Sequence, residues 1–283
     1  MNGLRKITPY ILLAIFCQLV LTLVPIGIKM VSANIWEIGL ARLVLALIFL
    51  IPFLKKSTIK LSKRLYPLGI FFALHWGTYA HSVKISNPST AVIGLSFYGI
   101  ILLIYSRIFF KKPIPAPFYL LTILAFIGTR LTITEAIELK GFIWGFVSSA
   151  FYAALPIINI KNSDISAKER AFYQFFIAFL LYLIFGTTYA TFELKAIDWW
   201  LLLALGVGGT LIGHGLWLKV TTHLPPVITG GFYYLAIPLS LVYENIFLKV
   251  DITALKIFGS LIIIFSNLGI LYFQKKITPQ DDF

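Results

Sequence analysis

The sequence predicts an all-α polytopic membrane protein whose ten transmembrane helices form two inverted five-helix repeats. Three observations lead there. Apolar blocks of spanning length alternate with short loops, Lys and Arg concentrate in every second loop, and one phrase recurs after half the chain.

The 283 residues are 59% hydrophobic and 12% charged, with a mean hydropathy of +0.90. A soluble domain carries about 25% charged residues. A helix needs about 20 mostly apolar residues to cross the hydrocarbon core. On that criterion the spans fall at 8–28, 34–54, 65–84, 88–110, 117–134, 141–160, 170–190, 198–218, 225–247 and 253–273. Pro9, Pro67, Pro88, Pro117, Pro225 and Pro226 lie in or just before first turns, where the missing N–H breaks no helical bond. Arg5 and Lys6 precede the first block as they would in a signal peptide. The block has full spanning length and no small-residue cleavage site follows it, so it reads as a retained helix. The one cysteine, Cys17, sits inside that block; it permits no disulfide within the chain and reads as a small packing residue.

The formal net charge is +13. The basic residues sit in short loops and form no clustered face, which excludes a nucleic-acid surface. With a cytoplasmic N-terminus, the inside segments hold sixteen: Arg5, Lys6, Lys55, Lys56, Lys60, Lys63, Arg64, Arg107, Lys111, Lys112, Lys161, Lys168, Arg170, Lys219, Lys275 and Lys276. The outside segments hold seven: Lys29, Lys84, Arg130, Lys140, Lys195, Lys249 and Lys256; Arg42 lies within the second span. The positive-inside rule then puts both termini in the cytoplasm.

The recurring phrase is IYSRIFFKKPI at 104–114 and VYENIFLKVDI at 242–252. Tyr105 matches Tyr243, Ile108 Ile246, Phe109 Phe247, Lys111 Lys249 and Ile114 Ile252, all at an offset of 138, and Pro88 matches Pro226 at the same offset. The copies close the fourth and ninth spans. Five spans separate them, so they cross the membrane in opposite directions. The basic inside loops of the first half correspond to outside loops of the second that hold only Lys195, Lys249 and Lys256. Duplication followed by loss of positive charge from the outward copy leaves this pattern. The repeats divide the chain at 1–138 and 139–283. Inverted repeats about an in-plane axis are the architecture of many secondary transporters, with the site between them near the midplane.

The stretch IDWWLLLALGVGGTLIGHGLWLKVTTHLPPVITGGFYYLAIPLSLVYENIFL, from Ile197 to Leu248, resembles the second repeat of the ten-helix, EamA-type branch of the drug/metabolite transporter superfamily. It has the aromatic entry, the Gly-rich eighth helix, the Trp, the Pro loop and the central Pro of the ninth helix, here Pro238. GIKMVSANIWEIGLARLVLAL near the N-terminus is similar to the family's first two helices, with Lys29 ending the first and Arg42 early in the second. The family often carries a Gly-Glu pair after the fourth and ninth helices; this chain has Lys111-Lys112 and Lys249-Val250 there. The resemblance implies a bacterial inner (plasma) membrane protein with a cavity lined by helices one, three, four, six, eight and nine. It also implies transport of a small metabolite or drug-like compound without ATP hydrolysis. In agreement, the chain has no G-x-x-x-x-G-K-[ST].

Polar groups at membrane depth are costly and face the bundle interior. His75 and Tyr79, four apart, share a helix face, as do His214 and Trp217, three apart. The repeat offset aligns Trp76 with His214 and Tyr79 with Trp217. With Gln18, Tyr98, Ser149, Tyr152 and Tyr234 these residues are the candidate substrate-binding set; the competing reading is interhelical packing with satisfied polar tips. Tyr105, Asn159 and Tyr233 are further polar groups at this depth, and the Gly230–Gly231 pair suits close packing or a bend. Glu244 is a candidate for coupling or gating. It stands about 27 Å along the helix from Pro226, near the outer interface, which suits snorkelling or gating better than a midplane proton site. Arg42 either binds an anionic substrate group or caps carbonyls. Lys29 and Glu37 read as solvated residues at the outer boundary.

The expected function is secondary active transport of an amino-acid-like, nucleoside-like or other aromatic or amphipathic solute. The alternatives are a proton-coupled multidrug exporter, with the proton as coupling ion, and a non-transporting assembly or lipid-scrambling subunit. An enzyme is not expected: His75, His81, His214 and His223 have no close acidic partner and no H-E-x-x-H occurs. The sequence calls for no cofactor or metal, and it assigns no oligomeric state.

Overall fold

A computed structural model describes residues 2–54, 62–133, 137–191 and 193–277, with side chains from residue 7 onward except at 248 and 277. Lys55, Lys56 and Lys60 and the side chains of Arg5 and Lys6 lie outside the described residues. Every regular element among those described is helical.

The first apolar block forms α1 (Asn2–Leu21) and α2 (Val24–Met30) with a break between them. Pro25 accounts for the break, since its ring cannot accommodate the carbonyl of residue 21. The Thr22 hydroxyl instead bonds the Gln18 carbonyl at 2.6 Å. α3 (Ile35–Leu50) begins at a capping box: the Asn34 side chain accepts from the Trp36 and Glu37 N–H groups, and the Glu37 carboxylate accepts from the Asn34 N–H. α4 (Tyr66–Ile85) follows, then a second broken pair, α5 (Pro88–Leu95) and α6 (Tyr98–Phe110), and then α7 (Ala116–Thr132). α8 (Leu139–Lys161) and α9 (Ala167–Gly186) are continuous. α10 (Ala196–Leu203) runs through an eleven-residue π-helical stretch, Ala204–His214, into α11 (Gly215–His223). The last break separates α12 (Pro226–Tyr234) from α13 (Ala236–Leu248), where Pro238 displaces the carbonyl of residue 234; α14 (Ala254–Ile277) ends the described chain.

Element boundaries recur at the sequence offset. α6 starts and ends 138 residues before α13, α7 starts 138 before α14, and Pro88 of α5 stands 138 before Pro226 of α12. Both sixth and thirteenth helices end on a left-handed Lys: Lys111 and Lys249, each at φ 57°, are the only non-glycine residues with positive φ among those described.

Among the described residues, eight stretches are long and apolar enough to cross a membrane. α7 misses the criterion by length, at 17 residues. α4 has the length, 20 residues, but carries His75, Trp76, Thr78, Tyr79, His81, Ser82 and Lys84 among its apolar residues. Leu12, Ile48, Phe53, Leu120, Ile184, Trp200 and Phe265 are among the large apolar side chains left exposed around the bundle, as a lipid-facing surface requires. Inside, α4 lies along α8 and α9, α5 along α8, α7 along α14, and α3 against α9 and the π-helical stretch. Lipid tails are as apolar as Leu, so such contacts depend on close packing. At the α5–α8 crossing a Cβ on Gly94 would meet the Gly145 backbone at 2.8 Å, and at the α7–α14 crossing a Cβ on Gly128 would meet the Gly259 carbonyl at 2.8 Å.

Candidate functional site

The helix irregularities converge on one interior cavity of about 70 Å³. Thr22 at the α1–α2 break, Leu95 at the end of α5, Tyr233 and Ala236 beside the α12–α13 break and His214 at the end of the π-helical stretch all line it. Non-helical backbone at membrane depth is tolerated where it borders protein or a cavity, and π-bulges accompany functional sites.

Six of the eleven candidate site residues meet in the lining, Gln18, Arg42, His75, Tyr79, Tyr152 and His214, together with Trp76 and Tyr233. His75 Nδ1 lies 2.7 Å from the Ser148 hydroxyl, which itself donates to the His75 carbonyl at 2.9 Å. With its one hydrogen so committed, the hydroxyl accepts from Nδ1–H, which leaves Nε2 of His75 as an acceptor. The His75 ring stacks on Tyr152 at 4.2 Å and 14°, and on Tyr79 at 6.1 Å and 20°. Tyr152 continues the column to Tyr98 at 4.5 Å, and Tyr98 to Tyr233 at 4.9 Å. The Trp76 indole N–H donates to Nε2 of His214 at 3.2 Å, and Phe72 packs on both rings.

Arg42 is 2% exposed. Its guanidinium carbon lies 3.6 Å from the centroid of the Trp76 ring, and its Nε donates to the Thr210 hydroxyl at 3.1 Å. Thr210 belongs to the π-helical stretch and donates to the Leu205 carbonyl, five residues back. A Cβ on Gly209 would stand 3.3 Å from Nη2 of Arg42, so the small residue there lets the guanidinium approach the helix.

Tyr98, Ser149, Trp217, Tyr234 and Glu244 stand off the lining. Tyr98 forms the second layer of the ring column, beside the Trp217 indole N–H. The Tyr234 hydroxyl donates to the Ser96 carbonyl at 2.7 Å, at the α5–α6 break and across an offset of 138 residues. The Ser149 hydroxyl bonds back to the Phe146 carbonyl; its neighbour Ser148 is the one that meets His75. Glu244 is 5% exposed. Glu37, expected to be solvated, is 3% exposed, because the N-cap of α3 and the N–H and hydroxyl of Thr191 enclose its carboxylate. Lys29 is exposed as expected but donates to the Ser86 carbonyl at 2.8 Å. Tyr182 of α9 and Ser240 of α13 line the cavity and are absent from the sequence-based set. Nothing in the composition of the seventh span distinguishes Tyr182; the signal is Gly39 in the second, where a Cβ would run into its ring.

Residues 139–272 match the EamA-like transporter family. The chain is 28% identical over 259 residues to the S-adenosylmethionine uptake transporter of Rickettsia conorii, covering 85% of this chain and 84% of that protein. It is 26% identical over 257 residues to the protein of the same description in Rickettsia bellii, covering 85% of each. A solved crystal structure shares the fold at a TM-score of 0.80 and 12% identity, over 94% of this chain and 99% of that one. The second half is thus similar to the EamA-like transporter family, and the likeness of most of the chain is to membrane transport proteins rather than to enzymes.

Proposed function

We propose that the chain is a secondary transporter moving a small organic metabolite by alternating access of two inverted five-helix repeats, 1–138 and 139–283. The observation that carries the reading is the shared cavity. The first half contributes Gln18, Arg42, His75 and Tyr79, and the second contributes Tyr152, Tyr182, His214 and Tyr233. α4 and α7 join the eight long apolar stretches to give ten spans, and the recurrence of boundaries at an offset of 138 favours duplication. Discontinuous helices at a repeat interface are the usual construction of transporter sites. The candidate substrate is S-adenosylmethionine, which the relatives' descriptions name.

A cavity of about 70 Å³ is smaller than the 300 Å³ or more typical of small-molecule pockets, so loading requires the halves to part. With both termini in the cytoplasm of a bacterial inner membrane, the lining residues of α1, α3 and α4 lie in the outer parts of their helices. Entry from outside follows from that placement. Uptake of labelled S-adenosylmethionine into liposomes containing the purified protein tests the proposal. Saturable uptake, with exchange against internal unlabelled compound, is expected; flux equal to that of empty liposomes overturns it.

The burial of Glu244 favours a second reading, proton-coupled export, in which this acid carries the proton. That reading fails if Glu244→Gln transports at full rate at all pH values.

A further inference from the structure

We propose that Arg42 and Gln18 form a subsite for the carboxylate of a substrate that carries an amino-acid group beside a flat ring, which rests on the transport reading only in taking the cavity as the substrate site. Two buried donors lining one cavity have no partner among the described residues: Nη2 of Arg42 and Nε2 of Gln18, on residues each 2% exposed. A buried donor without an acceptor is costly, and most of all on a charged group. Trp76 and Thr210 hold the guanidinium by one face and by Nε and supply no negative charge. The described lining contains no Asp or Glu.

A carboxylate supplies what is missing. It brings one negative charge to one guanidinium, and its two oxygens accept from separate donors. Arg42 is the only Lys or Arg in the described lining, so a phosphate dianion would leave charge uncompensated. A purely cationic solute would meet Arg42 with the same sign; one that also carries a carboxylate would not. The rings of Tyr79, His75 and Tyr152, nearly parallel along the wall, supply a stacking surface for the flat part of the same molecule.

The test compares acids with their decarboxylated amines in binding to the nanodisc-embedded protein. The pairs are S-adenosylmethionine and decarboxylated S-adenosylmethionine, tryptophan and tryptamine, and methionine and 3-methylthiopropylamine. At least one acid is expected to bind ten-fold or more tighter than its amine. Arg42→Met is expected to abolish that preference, Arg42→Lys to keep part of it, and Gln18→Leu to weaken it. Amines that bind as well as their acids in every pair in the unaltered protein, or no binding by any acid, overturn the subsite; the first comparison needs no variant to fold. Selective binding of tryptophan or methionine without S-adenosylmethionine upholds the subsite and removes S-adenosylmethionine as the substrate. Uptake of S-adenosylmethionine with no preference for the acid does the reverse.

Discussion

The indole N–H of Trp76 donates to Nε2 of His214 across 3.2 Å and across a separation of 138 residues, the offset at which the sequence repeats itself. Two positions separated by that offset thus touch beside the cavity they both line. A pseudo-two-fold axis through the site would produce such a contact, because equivalent residues of two inverted halves approach each other only near the axis.

Trp76→Phe tests how much this bond holds α4 to the π-helical stretch. The smaller ring keeps a face for Arg42 but leaves Nε2 of His214 without its donor. An unsatisfied buried acceptor costs about 1–3 kcal/mol, and each kcal/mol lowers the unfolding midpoint by about 2–4 °C in a chain of this size class. A fall of several degrees in the detergent-solubilised protein is expected. An unchanged midpoint would show that a water or another residue replaces the indole.

The all-helical, membrane-spanning character was legible in the sequence because long apolar blocks leave few alternatives, and the site was legible only in part. His75 and Tyr79 share a face of α4 and both reach the cavity, as spacing alone indicates. Spacing does not say which of two adjacent serines faces inward, and Ser148, not Ser149, meets His75. The breaks at Thr22–Leu23, Ser96–Phe97 and Leu235 interrupt blocks that read as continuous. Two follow from Pro25 and Pro238; the break at Ser96 has no proline, and hydropathy carries no trace of it. Glu37 read as solvated because its enclosing partner, Thr191, is 154 residues away.

Gly39 and Tyr182 form a matched pair between α3 and α9. A Cβ at residue 39 would collide with the Tyr182 ring, which is buried and lines the cavity. Overpacking of this kind costs about 1–3 kcal/mol. Gly39→Ala is therefore expected to lower both the unfolding midpoint and substrate uptake. Gly39→Ala combined with Tyr182→Val should recover most of the stability, giving a coupling energy above about 0.5 kcal/mol in the double-mutant cycle. Additive effects would mean that the ring moves aside freely.

Asn159 lies two helical turns beyond the cavity-lining Tyr152 on α8 and ties three helices together. Its Nδ2 reaches the Leu218 carbonyl and the Thr221 hydroxyl, both at 2.6 Å, and Nη1 of Arg170 donates to its carbonyl at 2.8 Å and to its side-chain oxygen. This joins α8, α9 and α11 at the end expected to face the cytoplasm. Asn159→Ala removes one side of the latch and should shift the population toward a cytoplasm-open state. In a Cys17→Ala background, a cysteine at Gln174, which is buried in α9, is expected to react several-fold faster with a reagent added from the cytoplasmic side. Equal rates with and without Asn159 would show that the latch does not hold that end shut.

Lys111 and Lys249 cap α6 and α13 in the left-handed conformation, both at φ 57°. The Lys111 N–H bonds the Arg107 carbonyl and the Lys249 N–H bonds the Glu244 carbonyl, so each residue satisfies a terminal acceptor at the expense of its own backbone strain. A side chain in this region costs about 1–2 kcal/mol, which Gly avoids. Both lysines are exposed, so replacing them removes no packing. Lys111→Gly and Lys249→Gly should each raise the unfolding midpoint, by a net of about 1 kcal/mol once the greater freedom of unfolded Gly is counted, and together they should add. Lys112→Gly is the control, since its backbone is not left-handed and it should gain nothing. Stabilisation by one cap and not the other would show that the matching backbone angles at the two helix ends conceal different local constraints, and would weaken the case that the halves derive from one ancestral unit.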